Sequence, residues 1–82
     1  MERESQYTIS SVKTALKVLK LFDSAHKSMT LTENTERADM RKGTMVRVLT
    51  TLEEEGFVRY DEISKRYSLG MSIYVLSSNA FQ

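Results

Sequence analysis

The chain has 82 residues, 40% hydrophobic and 28% charged, which describes one ordered domain with no room for a second. It contains no cysteine and one histidine, so disulfides, cysteine metal sites and histidine clusters are excluded and no cofactor is expected. With 12 basic and 11 acidic residues the net charge is +1, so the positions of the charges carry more information than their sum.

Residues 1–10, MERESQYTIS, read as a polar N-terminal arm without the apolar stretch of a secretory signal. Arg3 is a weak candidate there for tracking a nucleic-acid groove. No apolar run approaches the ~20 residues of a membrane span. A cytoplasmic protein without a membrane partner is expected. From Ser11 the spacing predicts an amphipathic helix that ends near Asp23, with Ser11 as N-cap. Val12, Ala15, Leu16, Leu19 and Phe22 share one face, and Lys13, Lys17 and Lys20 lie opposite. Residues 24–28 read as a loop holding His26, which has no second ligand or nucleophile beside it and is expected to be a solvated loop residue.

Met29 and Leu31 are expected to anchor the next segment to the first helix, with Leu31 an alternative member of a short strand. A short second helix is predicted over residues 33–38, with Thr32 as N-cap and Glu33 and Glu36 near its positive end. The third helix is predicted over 42–55, with Met45, Val48, Leu49 and Leu52 as its buried face. Gly56 ends it as a C′ residue. Strands at 57–61 and 66–69 then flank a turn at 63–65. Gly70 breaks the second strand, and residues 71–82 start another helix. On that helix Ile73, Leu76 and Ala80 share a stripe beside Tyr74 and Phe81. Two fates are open to it: covering the domain's own core, or pairing with another subunit.

The predicted fold class is mainly α with a small β-hairpin (α+β). A short helix joined tightly to a longer one, followed by a hairpin, is a winged helix-turn-helix, here with a three-helix core, a wing and a C-terminal linker helix. The domain occupies residues 11–70, between the arm (1–10) and the start of the linker or dimerisation helix (71–82).

The charges of the third helix run against its own dipole. Arg41, Lys42 and Arg47 stand at or near its positive start, and Glu53, Glu54 and Glu55 at its negative end. A polyanion against the helix start would account for this. Turning the buried face inward exposes Lys42, Gly43, Thr44, Val46, Arg47, Thr50 and Thr51. Lysine and arginine bond guanine or phosphate, threonine bonds phosphate or base edges, and valine meets a thymine methyl. Lys65 and Arg66, at the hairpin tip, are candidates for backbone or minor-groove contact, and Arg59 is a weaker one. The partner expected on these residues is double-stranded DNA.

The segments SVKTALKVLKLF, LTENTERADMRKGTMVRVLTTLEEEGFVRYD and RYSLG resemble the N-terminal DNA-binding domain of IclR-type (isocitrate lyase regulator-like) bacterial transcription regulators. Ser11, Val12, Ala15 and Leu16 match the start of the family's first helix. Lys42, Gly43, Thr44, Met45, Arg47, Val48, Leu49, Thr51 and Leu52 match its recognition segment. Glu54, Gly56, Phe57 and Val58, then Tyr67, Leu69 and Gly70, match its ending. The resemblance covers residues 11–70. It implies recognition of an operator by a symmetric homodimer, or a higher oligomer formed with an effector-sensing domain that this chain does not contain. Two positions depart from the pattern. Asn34 stands where an apolar residue faces the core, and Asp39 replaces the usual turn glycine.

An enzyme is not expected: there are no convergent nucleophiles, bases or glycine-rich phosphate loops, and adjacent Glu53–Glu55 point in different directions. The competing reading is a winged-helix protein–protein interaction module, against which the basic, hydroxyl-bearing face of the third helix argues.

Overall fold

In a computed structural model, which describes residues 5–81, the chain folds in the order α1 (Ser10–Leu19), β1 (Ser28–Thr30), α2 (Leu31–Ala38), α3 (Lys42–Glu54), β2 (Val58–Asp61), β3 (Arg66–Leu69) and α4 (Met71–Ala80). Arg3 and the rest of residues 1–4 lie outside the described residues. The core forms where α1, α2 and α3 meet the sheet. Val18, Phe22, Met29, Ala38, Met45, Leu49, Leu52 and Val58 are buried there.

The buried face of α1 is turned from the one expected. Val18 is fully buried, while Val12 and Leu16 are each 51% exposed. Ala15, Val18, Leu19 and Phe22 stand at i, i+3, i+4 and i+7, a stripe as regular as the expected one and offset from it, so periodicity alone did not decide between them. The helix also starts two residues earlier, with Ile9 in place of Ser11 at the N-cap and no side-chain cap. It ends at Leu19 and tightens through Leu21 and Phe22, whose amides bond Val18 O and Leu19 O.

Thr30, not Thr32, caps α2. Its Oγ1 accepts from the Glu33 amide (3.1 Å), and the Glu33 carboxylate accepts from the Thr30 amide (2.8 Å). This reciprocal capping box moves the helix start back to Leu31, which is therefore helical and not in a strand. Asn34 is fully buried: its Nδ2 donates to Thr30 O at 3.0 Å, and its Oδ1 has no partner. At the other end, Asp39 adopts the left-handed conformation (φ 53°). Asp39 N then bonds Glu36 O, and Met40 N bonds Thr35 O, closing the helix. Aspartate thus takes the turn position with the geometry a glycine would supply.

The wing is part of a three-stranded antiparallel sheet, order β1-β3-β2, and not an isolated hairpin. The strand Ser28–Thr30 begins at the last residue of the expected loop and ends just before Leu31, the alternative strand member; it pairs with Arg66–Ser68 of β3. Three residues are too few to show an alternation in sequence. On the other side β2 and β3 pair Tyr60 with Tyr67, whose rings lie 4.6 Å apart at 44°.

Candidate nucleic-acid interface

The helix α3 divides cleanly by burial. Met45 and Leu49 are fully buried and Leu52 nearly so, with Val48 partly buried against them. Arg41, Lys42, Gly43, Thr44, Val46, Arg47, Thr50 and Thr51 are all exposed, so the expected surface exists as one continuous face. Arg41 is the N-cap residue and makes no side-chain cap, and the first turn contains no acid. The first backbone N–H groups of a helix have no acceptor within it. Those of α3 therefore point outward beside two cationic side chains. Gly43 adds to this openness, since a Cβ there would touch nothing within 4 Å.

Periodicity places Gly43, Arg47, Thr50 and Glu54 in one row. Glu54 therefore shares the face, separated from Arg47 along the axis by about 10 Å. Thr51 is also less free than its exposure suggests. Its Oγ1 donates to Arg47 O at 2.8 Å, which leaves its lone pairs and methyl group for a partner. On the flank of α3, Ser11 and Thr14 of α1 line an open groove with Thr44 and Arg47. Sequence reasoning passed over these two hydroxyls because it treated α1 as scaffold only.

In the wing, Lys65 and Arg66 part company. Lys65 is exposed and left-handed (φ 62°), and its amide donates to Asp61 O at 2.8 Å. Asp61 also accepts from the Ser64 amide through its carboxylate (2.9 Å), and these Ser64 contacts hold its carboxyl below the usual range. Arg66 is not at the tip. It lies on β3, opposite Thr30 and Asp61. Its Nε donates to Ser28 Oγ (2.9 Å) and its Nη2 to Ser28 O (3.0 Å) and Glu33 Oε1 (3.1 Å). The guanidinium ties the wing to β1 and to the start of α2, which is a structural use that the sequence position concealed. The tip carries Ile63 instead, 93% exposed. An apolar residue in the middle of a turn was the available signal for it. Arg59 is exposed on β2.

His26 belongs to a local loop motif. Its ring nitrogen Nδ1 lies 3.0 Å from Asp23 Oδ1, and Asp23 also accepts the amides of Ala25 and His26. The side-chain bond to His26, foremost, lowers the Asp23 carboxyl from its ordinary value. Among the described residues no group of three metal-ligating side chains comes together. None of the described helices is long and apolar enough to cross a membrane.

A short helix, a left-handed turn and a longer helix with a basic exposed start, backed by a winged sheet, compose the helix-turn-helix geometry that the IclR helix-turn-helix domain pattern matches over residues 11–62. The chain belongs to this family. Its members are non-enzymatic transcription regulators, and this part of them is the DNA-binding domain. A glycerol operon regulatory protein of Streptomyces coelicolor is 33% identical over 70 residues, which are 85% of this chain and 28% of that protein. An IclR transcriptional regulator from Alicyclobacillus acidocaldarius superposes with a TM-score of 0.85 at 47% identity, over 90% of this chain and 30% of that one. An IclR-family regulator from Brucella abortus has the same fold, with a TM-score of 0.85 at 24% identity over 93% and 29% of the two chains. The IclR-type chain thus spans about 30% of the length of the solved relatives it matches.

Proposed function

We propose that this IclR-type domain reads double-stranded DNA with α3 in the major groove. Arg41 and Lys42, with the free amides of the first turn, meet the phosphate backbone, and Gly43 lets the helix start approach it closely. Thr44, Val46, Arg47, Thr50 and Thr51 face base edges and flanking phosphates. Lys65 reaches the backbone from the wing. Arg66 acts behind it as the tie that holds the wing in place. The observation that carries this reading is the start of α3: exposed, uncapped, without acids and doubly basic.

Two copies act together in this proposal. α4 supports pairing, because none of its residues is buried and it exposes Tyr74, Val75 and Leu76 along a stretch without charge. None of its residues belongs to the core cluster, which supports pairing over covering the core. A dimer would place a second α3 about one helical turn along the duplex. In the longer relatives' context, an effector-sensing domain would follow α4.

The test is a fluorescence-anisotropy titration of the chain with random-sequence duplex at two salt concentrations. Affinity that falls steeply with salt is expected, because neutralised phosphates release counterions. Absence of binding at low salt would overturn the proposed face and favour a protein-interaction module. Light scattering at high protein concentration checks the pairing, and a monomer there would sink it.

A further inference from the structure

The two ends of α3 are finished in opposite ways, and the C-terminal end is joined to another helix. Gly56 sits at φ 82° and closes α3, with Gly56 N on Glu53 O (3.0 Å) and Phe57 N on Leu52 O (2.9 Å). Onto this closed turn the first turn of α4 is docked by three bonds. Gly70 N donates to Phe57 O (2.9 Å), Ser72 N to Gly56 O (3.0 Å), and Ser72 Oγ to Glu55 O (3.0 Å). The approach leaves no slack. A Cβ on Gly70 would collide with the Gly56 carbonyl oxygen, and one on Gly56 would collide with Ser72 Oγ. Beyond this joint no residue of α4 is buried, and only Ile73 and Ser78 are partly so.

Ser72 is the member of the joint that bonds α3's end twice, through main chain and side chain. Its hydroxyl takes up a C-terminal carbonyl of α3 that the helix itself leaves without a donor. We infer that Ser72 is a positioning residue: it holds α4 and α3 as one rigid lever, so that the direction of α4 sets where the second recognition helix of a dimer stands on the duplex. This inference rests on the reading of α3 as the DNA-contacting helix and of α4 as the pairing helix. Its physical content is narrower: a joint of three hydrogen bonds and two close glycine contacts sets an interhelical angle that would set a half-site spacing.

Two measurements test it, one of which needs no DNA. Residual dipolar couplings of backbone amides in the chain are expected to fit α3 and α4 to a single alignment frame. Ser72→Pro removes both Ser72 bonds while leaving α4 intact, since proline is tolerated in a helix's first turn. The two helices should then need separate frames. Ser72→Ala, which loses only the hydroxyl bond, should fall between and serves if the proline variant does not fold. Independent frames in the unmodified chain would overturn the inference.

The second measurement uses duplexes carrying two copies of a half-site selected from random DNA, spaced in steps of one base pair. The unmodified chain should favour one spacing by about tenfold or more, because avidity is lost where geometry forbids simultaneous engagement. Ser72→Pro should bind a single half-site as tightly but flatten that preference. An unchanged spacing profile in Ser72→Pro would overturn the positioning role, and so would the lack of any preference in the unmodified chain. Failure of both proteins to bind even one half-site would sink the DNA-reading proposal instead, and the couplings would still judge the joint.

Discussion

The two helices of the helix-turn-helix begin in opposite ways. α2 satisfies its own start: Thr30 and Glu33 exchange bonds, and Glu33 places a negative charge against the positive end of the dipole. α3 has no side-chain cap and no acid in its first turn, and Arg41 and Lys42 occupy the N-cap and the first helical position. α1 and α4 also start without a side-chain cap, so the missing cap alone is unremarkable. The pair of cations beside it makes α3 different. A helix end that is closed on itself needs nothing further, whereas one that is open and cationic is stabilised by an anion from outside the molecule. Under the proposed DNA-reading role, the contrast separates scaffold from interface within one motif.

The sharpest way to break that contrast is to cut α3 on each of its sides. Leu49 is fully buried, and Leu49→Ala should destabilise the domain by ~2–5 kcal/mol in urea unfolding. Arg47 is exposed on the other side, and Arg47→Ala should shift stability by no more than ~0.5 kcal/mol. It should instead weaken binding at a selected site by ~1–3 kcal/mol if it reads a base. Equal losses of stability in the two variants would mean that α3 has no separable face.

The second test concerns the scaffold helix. Asn34 is buried with one amide oxygen unpartnered, and an orphaned buried acceptor costs ~1–3 kcal/mol. Asn34→Leu should therefore raise stability, to about that extent, without altering affinity for DNA. A loss of stability, read by urea unfolding, would show that the Nδ2 bond to Thr30 O or the shape of the site outweighs the orphaned oxygen.

These two helices also mark how far the sequence was legible. α3 was read to within a residue because its apolar repeat, Met45, Val48, Leu49 and Leu52, ends on a glycine that stops the helix. The start of α2 was misplaced by two residues because threonines at 30 and 32 are equally good caps; the choice fell to Glu33, three residues after Thr30. In α1 two offset stripes compete, and the packing against α3 decided for Val18. β1 was read only as an alternative short strand at Leu31, one residue past its true end at Thr30, because a strand of three residues leaves no pattern. Arg66 was legible as basic and near a turn, but its partners Ser28 and Glu33 are 38 and 33 positions away, which no local pattern encodes. The exposed row on α3 could be enumerated from the helical period alone, yet the same period puts Glu54 on it.

A smaller effect tests the closed end directly. The Glu33 carboxyl is lowered from its ordinary value of 4.5, first by the Thr30 amide and then by the charge of Arg66. A lowered acid adds stability that is full above its unfolded value and is lost as pH falls through the folded value. Glu33→Gln should therefore be less stable than the unmodified chain at neutral pH, and the gap should close as the pH falls below 4.5. Thr30→Ala removes the reciprocal bond and should cost ~1 kcal/mol. A gap that stays constant across this range in thermal melts would show that the Glu33 charge contributes nothing to capping α2.

The smallest expected change in stability is also the one that best separates folding from recognition. Glycine costs up to ~1 kcal/mol relative to alanine within a helix, and less in its first turn. At Gly43 an added Cβ would meet nothing in the protein, so the fold itself gives no reason for glycine there. Gly43→Ala should leave thermal stability unchanged or slightly raised. If the start of α3 lies against a phosphate backbone, the same methyl group intrudes between helix and duplex, and affinity should fall while the melting temperature does not. Retained affinity in Gly43→Ala would mean that the duplex does not approach the first turn closely, and would move the proposed contacts down the helix toward Arg47 and Thr50.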